Sequence, residues 1–157
     1  MKKIGCNVMK RFFCLDADQK LNSMEYSKKR ILIVDDDQDL RLILRDLLEF
    51  QGYICEEVEN GEDALQLLHF HDFDLIITDY EMPQMNGILL LKKLAENPNY
   101  AEIPVIMMTG LYSEEFGDKA RQAGAYAVLE KPYSRKNMLS LINQALNSYS
   151  CTCPNCY

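Results

Sequence analysis

From residue 30 onward, short apolar runs alternate with longer amphipathic ones. Strands are expected over residues 31–35, 53–58, 75–79, 105–109 and 125–129. Three of them, ILIVD, LIIT and VIMMT, are nearly unbroken apolar, as parallel strands covered on both faces must be. Between them, residues 39–50 place Leu40, Ile43, Leu44, Leu47 and Leu48 at helical spacing, and residues 61–69 do the same with Ala64, Leu65 and Leu68. Further helices are expected over 87–96, 113–123 and 134–146. Ser113 and Ser134 stand where N-caps belong, and Gly52 and Gly124 just past helix ends.

Five strands alternating with five helices imply an α/β fold, a doubly wound five-stranded parallel sheet of flavodoxin-like order 2-1-3-4-5, because right-handed crossovers cover both faces. In such a sheet a site forms beyond the carboxyl ends of the strands, where the winding direction reverses. Residues 1–28 lack a clear period and are expected to be a mobile extension. A second reading of this segment puts Ile4, Val8, Phe12 and Leu15 on one face of a basic helix able to lie on a membrane surface or a partner. Residues 29–148 make the domain, and 149–157 a short tail.

The chain has 157 residues, 17 Lys+Arg and 24 Asp+Glu, a formal charge of −7. That sign argues against direct nucleic acid binding as the main task. The charge is uneven: residues 1–30 hold eight basic and three acidic side chains, whereas 31–157 hold nine and twenty-one. No stretch approaches the roughly 18 apolar residues of a transmembrane segment, and Lys10 and Arg11 interrupt what would otherwise resemble a signal peptide. A cytoplasmic location is therefore expected. Five of the six cysteines lie in the terminal segments, so the core is not built on bridges. Cys151, Cys153 and Cys156 form a C-x-C-x-x-C that offers three thiolates where a closed zinc site needs four ligands.

The chemistry gathers at the strand ends. Asp35, Asp36 and Asp37 close the first strand and Asp79 closes the third, its neighbour in the expected order. An acidic helix start is the plain reading of the first three. Once Asp79 joins them, each pair of charges at ~4 Å costs about 4 kcal/mol at an effective dielectric near 20, which requires raised pKa values or a cation. A hard ion, Mg²⁺, suits carboxylates, a backbone carbonyl and water; zinc would call for His or Cys nearby. Thr109 closes the fourth strand and Lys131 follows the fifth, bringing a hydroxyl and an ammonium group to the same edge. An ionised aspartate, a divalent cation, a lysine and a hydroxyl together can take up a phosphoryl group as an acyl phosphate.

The segments ILIVDDDQDLR, DLIITDYEMPQMNG, PVIMMTG and EKPY, in this order and spacing, resemble the receiver domain of two-component response regulators over residues 29–148. The resemblance implies a phosphoprotein in which Asp79 is the phosphoacceptor and Asp35, Asp36, Asp79 and the main-chain carbonyl of Glu81 hold Mg²⁺. It implies that Thr109 and Lys131 bind the phosphoryl group, that the bond before Pro132 is cis, and that Gly87 is the turn glycine after the third strand. The partners implied are a histidine kinase or histidine phosphotransfer protein as donor and a downstream protein as reader. With only about ten residues after the last helix, a stand-alone receiver is expected, a phosphoacceptor switch rather than an enzyme. The family's aromatic residue three positions before the lysine is here Val128, with Tyr126 or Tyr133 as candidate substitutes. Glu81 and Leu111 hold positions expected to influence phosphoryl lifetime.

Other classes fit less well. A non-phosphorylated receiver-like interaction module would not need all five site positions intact. A Mg²⁺-dependent phosphohydrolase would need a second Asp two residues after Asp79, where Glu81 stands. Flavodoxin-like electron transfer would need a Ser/Thr/Gly-rich phosphate loop after the first strand.

Overall fold

The computed structural model describes residues 28–148; residues 1–27 of the expected 1–28 extension and the tail over 149–157 lie outside the described residues. The chain alternates β1 (Arg30–Val34), α1 (Gln38–Phe50), β2 (Ile54–Val58), α2 (Gly61–Leu68), β3 (Leu75–Asp79), α3 (Gly87–Glu96), β4 (Val105–Thr109), α4 (Glu114–Gln122), β5 (Ala127–Glu130) and α5 (Arg135–Ser148). All pairings are parallel, in the order β2-β1-β3-β4-β5.

Burial follows position in the sheet. The three central strands β1, β3 and β4 are buried almost throughout, whereas the edges β2 and β5 are partly exposed. Alternate residues of the central strands feed two cores. Leu32, Ile76 and Met107 face the helices α2, α3 and α4, while Ile31, Ile77 and Met108 face α1 and α5.

Helix ends are closed by local chemistry. Asp37, Asn60, Asn86 and Ser113 accept N–H bonds from the first turns of α1 to α4, and Ser134 Oγ accepts from Asn137 N at 3.1 Å. Gly52 (φ 91°) and Gly124 (φ 108°) end α1 and α4 in the left-handed region. After each, the next N–H turns back into the helix, Tyr53 N to Leu48 O at 3.2 Å and Ala125 N to Ala120 O at 2.9 Å. This six-to-one bond satisfies an orphan carbonyl. It also explains why β2 starts at Ile54 and β5 at Ala127, later than the expected 53 and 125. At the other end, β1 stops at Val34 and leaves Asp35 beyond the ladder, although Asp35 N still reaches Val58 O at 3.3 Å.

Gly87 shows how tightly α3 is set against the site strand. A Cβ there would lie 2.7 Å from the Asp79 carbonyl oxygen and 3.1 Å from Met107 Cε. In an open helix Gly→Ala gains up to ~1 kcal/mol. Here overpacking against backbone reverses the sign, and Gly87→Ala is expected to lower stability by about 1–3 kcal/mol. Urea unfolding checks it: an unchanged or raised midpoint would mean that α3 is free to move away.

Candidate functional site

The register sets the site. Val34 pairs with Thr78, so the next residues, Asp35 and Asp79, stand side by side where the winding reverses. Both are buried, at 2% and 6% exposure. One carboxylate oxygen from each of Asp35, Asp36 and Asp79 lies within 4.8 Å of the other two. Asp37, the fourth acid, turns away: its Oδ1 accepts from Asp39 N at 2.9 Å and Leu40 N at 3.2 Å as the α1 cap. The acidic run therefore divides, with Asp37 capping the helix and Asp35 and Asp36 facing Asp79.

Lys131 joins the two strand ends. Its Nζ lies 3.2 Å from Asp35 Oδ2 and 2.9 Å from Asp79 Oδ1. It is brought there by β5, whose Glu130 pairs with Thr109, and by the bond from Lys131 N to Thr109 O at 2.7 Å. The Lys131–Pro132 peptide is cis. Thr109 is fully buried and its Oγ1 accepts from Leu111 N at 3.0 Å. After β3, Glu81 N donates to Asp79 Oδ2 at 3.2 Å.

Burial pushes the Asp35 carboxyl up; the N–H of Asp37 and the charge of Lys131 pull it down, and Asp79 pushes it up again, leaving it above the usual carboxylate range. For Lys131, burial alone would lower the ammonium, but the hydrogen bond to Asp79 and the charges of Asp35 and Asp79 outweigh it and hold the group above its ordinary value. The donor set is three carboxylates with no His or Cys among them, which suits a hard cation such as Mg²⁺.

Two neighbours were not visible as site residues in the sequence. Arg41 Nη1 donates to the Asp35 carbonyl at 2.6 Å, fixing the bend that carries the acids; its place one turn into an amphipathic helix was the only signal. Tyr80, directly after Asp79, meets the Phe116 ring of α4 edge-on at 4.6 Å between centroids. Of the two tyrosines weighed as substitutes for a ring at Val128, Tyr133 stands by the site: burial raises its hydroxyl pKa, and it feels the charges of Lys131, Asp35 and Asp79. Tyr126 instead places its hydroxyl 3.1 Å from Ser148 Oγ at the end of α5. Val128 packs into the core on the α4 side.

The model of the response regulator receiver domain family matches residues 31–143. The chemotaxis protein CheY of Halobacterium salinarum is 34% identical over 120 residues, covering 76% of this chain and 98% of that protein. The DNA-binding transcriptional regulator NtrC of Proteus hauseri is 34% identical over 122 residues, 78% of this chain but 25% of that protein. The chain thus spans only a quarter of that longer relative. Among solved structures, the receiver domain of a signal transduction histidine kinase from Syntrophus aciditrophicus superposes with a TM-score of 0.74 at 32% identity, covering 80% of this chain and 96% of that one.

The raised Asp35 pKa fixes a sign. A carboxyl whose folded pKa exceeds its unfolded one binds its proton more tightly in the native state, so stability falls as pH rises from the unfolded value toward the folded one. At neutral pH and without divalent cations, the ionised Asp35 is a net cost. Asp35→Asn in EDTA is expected to raise Tm by a few degrees at neutral pH, the order of about 1 kcal/mol in a domain this size, with the gain shrinking as pH falls and gone by about pH 4, where both states carry the proton. A lowered Tm at neutral pH would mean that the Lys131 bridge outweighs desolvation.

Proposed function

We propose that this chain, which belongs to the response regulator receiver domain family, works as a phosphoacceptor switch in two-component signalling, with Asp79 as the residue phosphorylated. The observation that carries this reading is the Lys131 ammonium within 3.2 Å of carboxylates at the ends of two different strands, beside a third acid, Asp36.

In the step, a carboxylate oxygen of Asp79 attacks phosphorus of a phosphohistidine on a histidine kinase or histidine phosphotransfer protein. The P–N bond breaks and its electron pair leaves with the imidazole, which takes up a proton from solvent. An acyl phosphate remains on Asp79. Asp35, Asp36, Asp79 and the main-chain carbonyl of Glu81 are the residues to hold Mg²⁺, which when bound offsets phosphoryl charge. Lys131 then exchanges its carboxylate contact for a phosphoryl oxygen, and its ammonium balances charge that builds there. Thr109 reaches the phosphoryl group by giving up the bond from Leu111 N. That exchange supplies differential contact between the two states and so shifts a pre-existing equilibrium toward a surface that a downstream protein reads. A non-phosphorylated interaction module would leave the buried acids and lysine without a task.

Incubation of the full chain with Mg²⁺ and acetyl phosphate is expected to add one phosphoryl group per chain by intact mass. EDTA should abolish the label and Asp79→Asn remove it. Labelling that persisted in Asp79→Asn would overturn the assignment, and many turnovers of a phosphate ester per chain would indicate a hydrolase.

A further inference from the structure

The α1 helix has two apolar faces where a helix on a sheet needs one. Leu44 and Leu48 are buried in the core. Leu40, Ile43 and Phe50 point outward, the last two 66% and 81% exposed. With the partly buried Leu47 they follow each other at steps of three, four and three residues, a continuous line on one side of a helix. Ile54, 42% exposed at the start of the edge strand β2, stands just past the α1 terminus. An outward apolar line of this length marks a surface meant to be covered.

Its surroundings are acidic in excess, although Arg135 stands over the Phe50 ring at 5.9 Å and Lys131 borders Leu40 and Ile43. Residues 36–63 hold ten Asp and Glu against two Arg, and Asp39 and Asp46 lie in the same row as Ile43 and Phe50, at steps of four and three residues. The chain also enters the domain here, since Ile54 N donates to Lys29 O at 2.9 Å. Residues 1–15 carry four Lys and Arg and no acid, with Ile4, Val8, Phe12 and Leu15 at helical spacing. As helices, Ile4 to Leu15 would span ~17 Å and Leu40 to Phe50 ~15 Å. Residues 16–27 can reach up to ~40 Å when extended, so the connection is long enough.

We propose that residues 1–15 dock as a basic amphipathic helix along the outward line of α1 in the same chain. The occupant matches the surface in length, apolar spacing and charge. It would also cover the open groove of about 450 Å³ lined by Leu40, Ile43, Lys131, Pro132 and Tyr133, which adjoins the site lysine. The segment then competes with a protein phosphodonor for this face while a small donor still reaches the acids. That consequence rests on the phosphoacceptor reading; the docking does not.

Hydrogen–deuterium exchange on the full chain tests it. Amides within residues 1–15 are expected to exchange at least tenfold more slowly than in the full-chain variant Ile43→Glu/Phe50→Glu, independently of protein concentration. Lys10→Glu/Arg11→Glu should lose the protection too. Ile43 and Phe50 are exposed, so β1, β3 and β4 should keep wild-type exchange and confirm that the variant folds. Equal exchange of residues 1–15 in all three chains would overturn the proposal. So would protection that dilutes away, which would make a second copy the occupant, or protection that needs anionic phosphatidylglycerol vesicles. Protected residues 1–15 in a chain that takes no label from acetyl phosphate would refute the phosphoacceptor reading and leave the docking standing.

Discussion

The ammonium of Lys131, held between Asp35 at 3.2 Å and Asp79 at 2.9 Å, is the contact on which the rest of the architecture converges. Its partners are buried carboxylates at the ends of adjacent strands, and a third acid lies beside them. Unpaired, such acids would repel by several kcal/mol at this spacing. One lysine against three acids leaves an excess of negative charge that suits the proposed Mg²⁺, and Lys131 already contacts the carboxylate proposed to be phosphorylated.

Strong constraints surround that contact. The sheet register brings Asp35 and Asp79 abreast, the Lys131 N to Thr109 O bond ties β5 to β4, and Arg41 pins the Asp35 carbonyl. α3 sits so close to Asp79 that only a glycine fits at position 87. Few of these groups can shift without the others. Outside this frame, Leu111 is 68% exposed, and the Tyr80–Phe116 contact links the residue after the site strand to α4.

Much of this was legible in the chain because it rests on local rules. Unbroken apolar runs mark β1, β3 and β4, and Gly52 and Gly124 mark the helix ends where a positive φ is required. The convergence of Asp35, Asp36, Asp79 and Lys131 was readable only after topology was assumed, since more than forty residues separate the acids. The division of labour among Asp35, Asp36 and Asp37 was not readable: three consecutive carboxylates look alike until one of them is seen to cap α1. The late starts of β2 and β5 were hidden for a related reason, because the backward bonds of Tyr53 and Ala125 depend on main-chain geometry rather than on side-chain type. Arg41 was hidden because a basic residue on a helix reads as solvated until its partner, a main-chain carbonyl, is located.

The most direct measurement of the central claim, acids on two strands sharing one cation beside a lysine, is calorimetric titration of Mg²⁺ into the full chain at neutral pH. One ion per chain is expected, with affinity at least tenfold weaker, about 1.4 kcal/mol, in Asp35→Asn and in Asp79→Asn. Affinity should be no weaker in Lys131→Met, since the ammonium competes for the same oxygens. No binding at millimolar Mg²⁺, or binding that is unchanged when either acid is lost, would contradict the account.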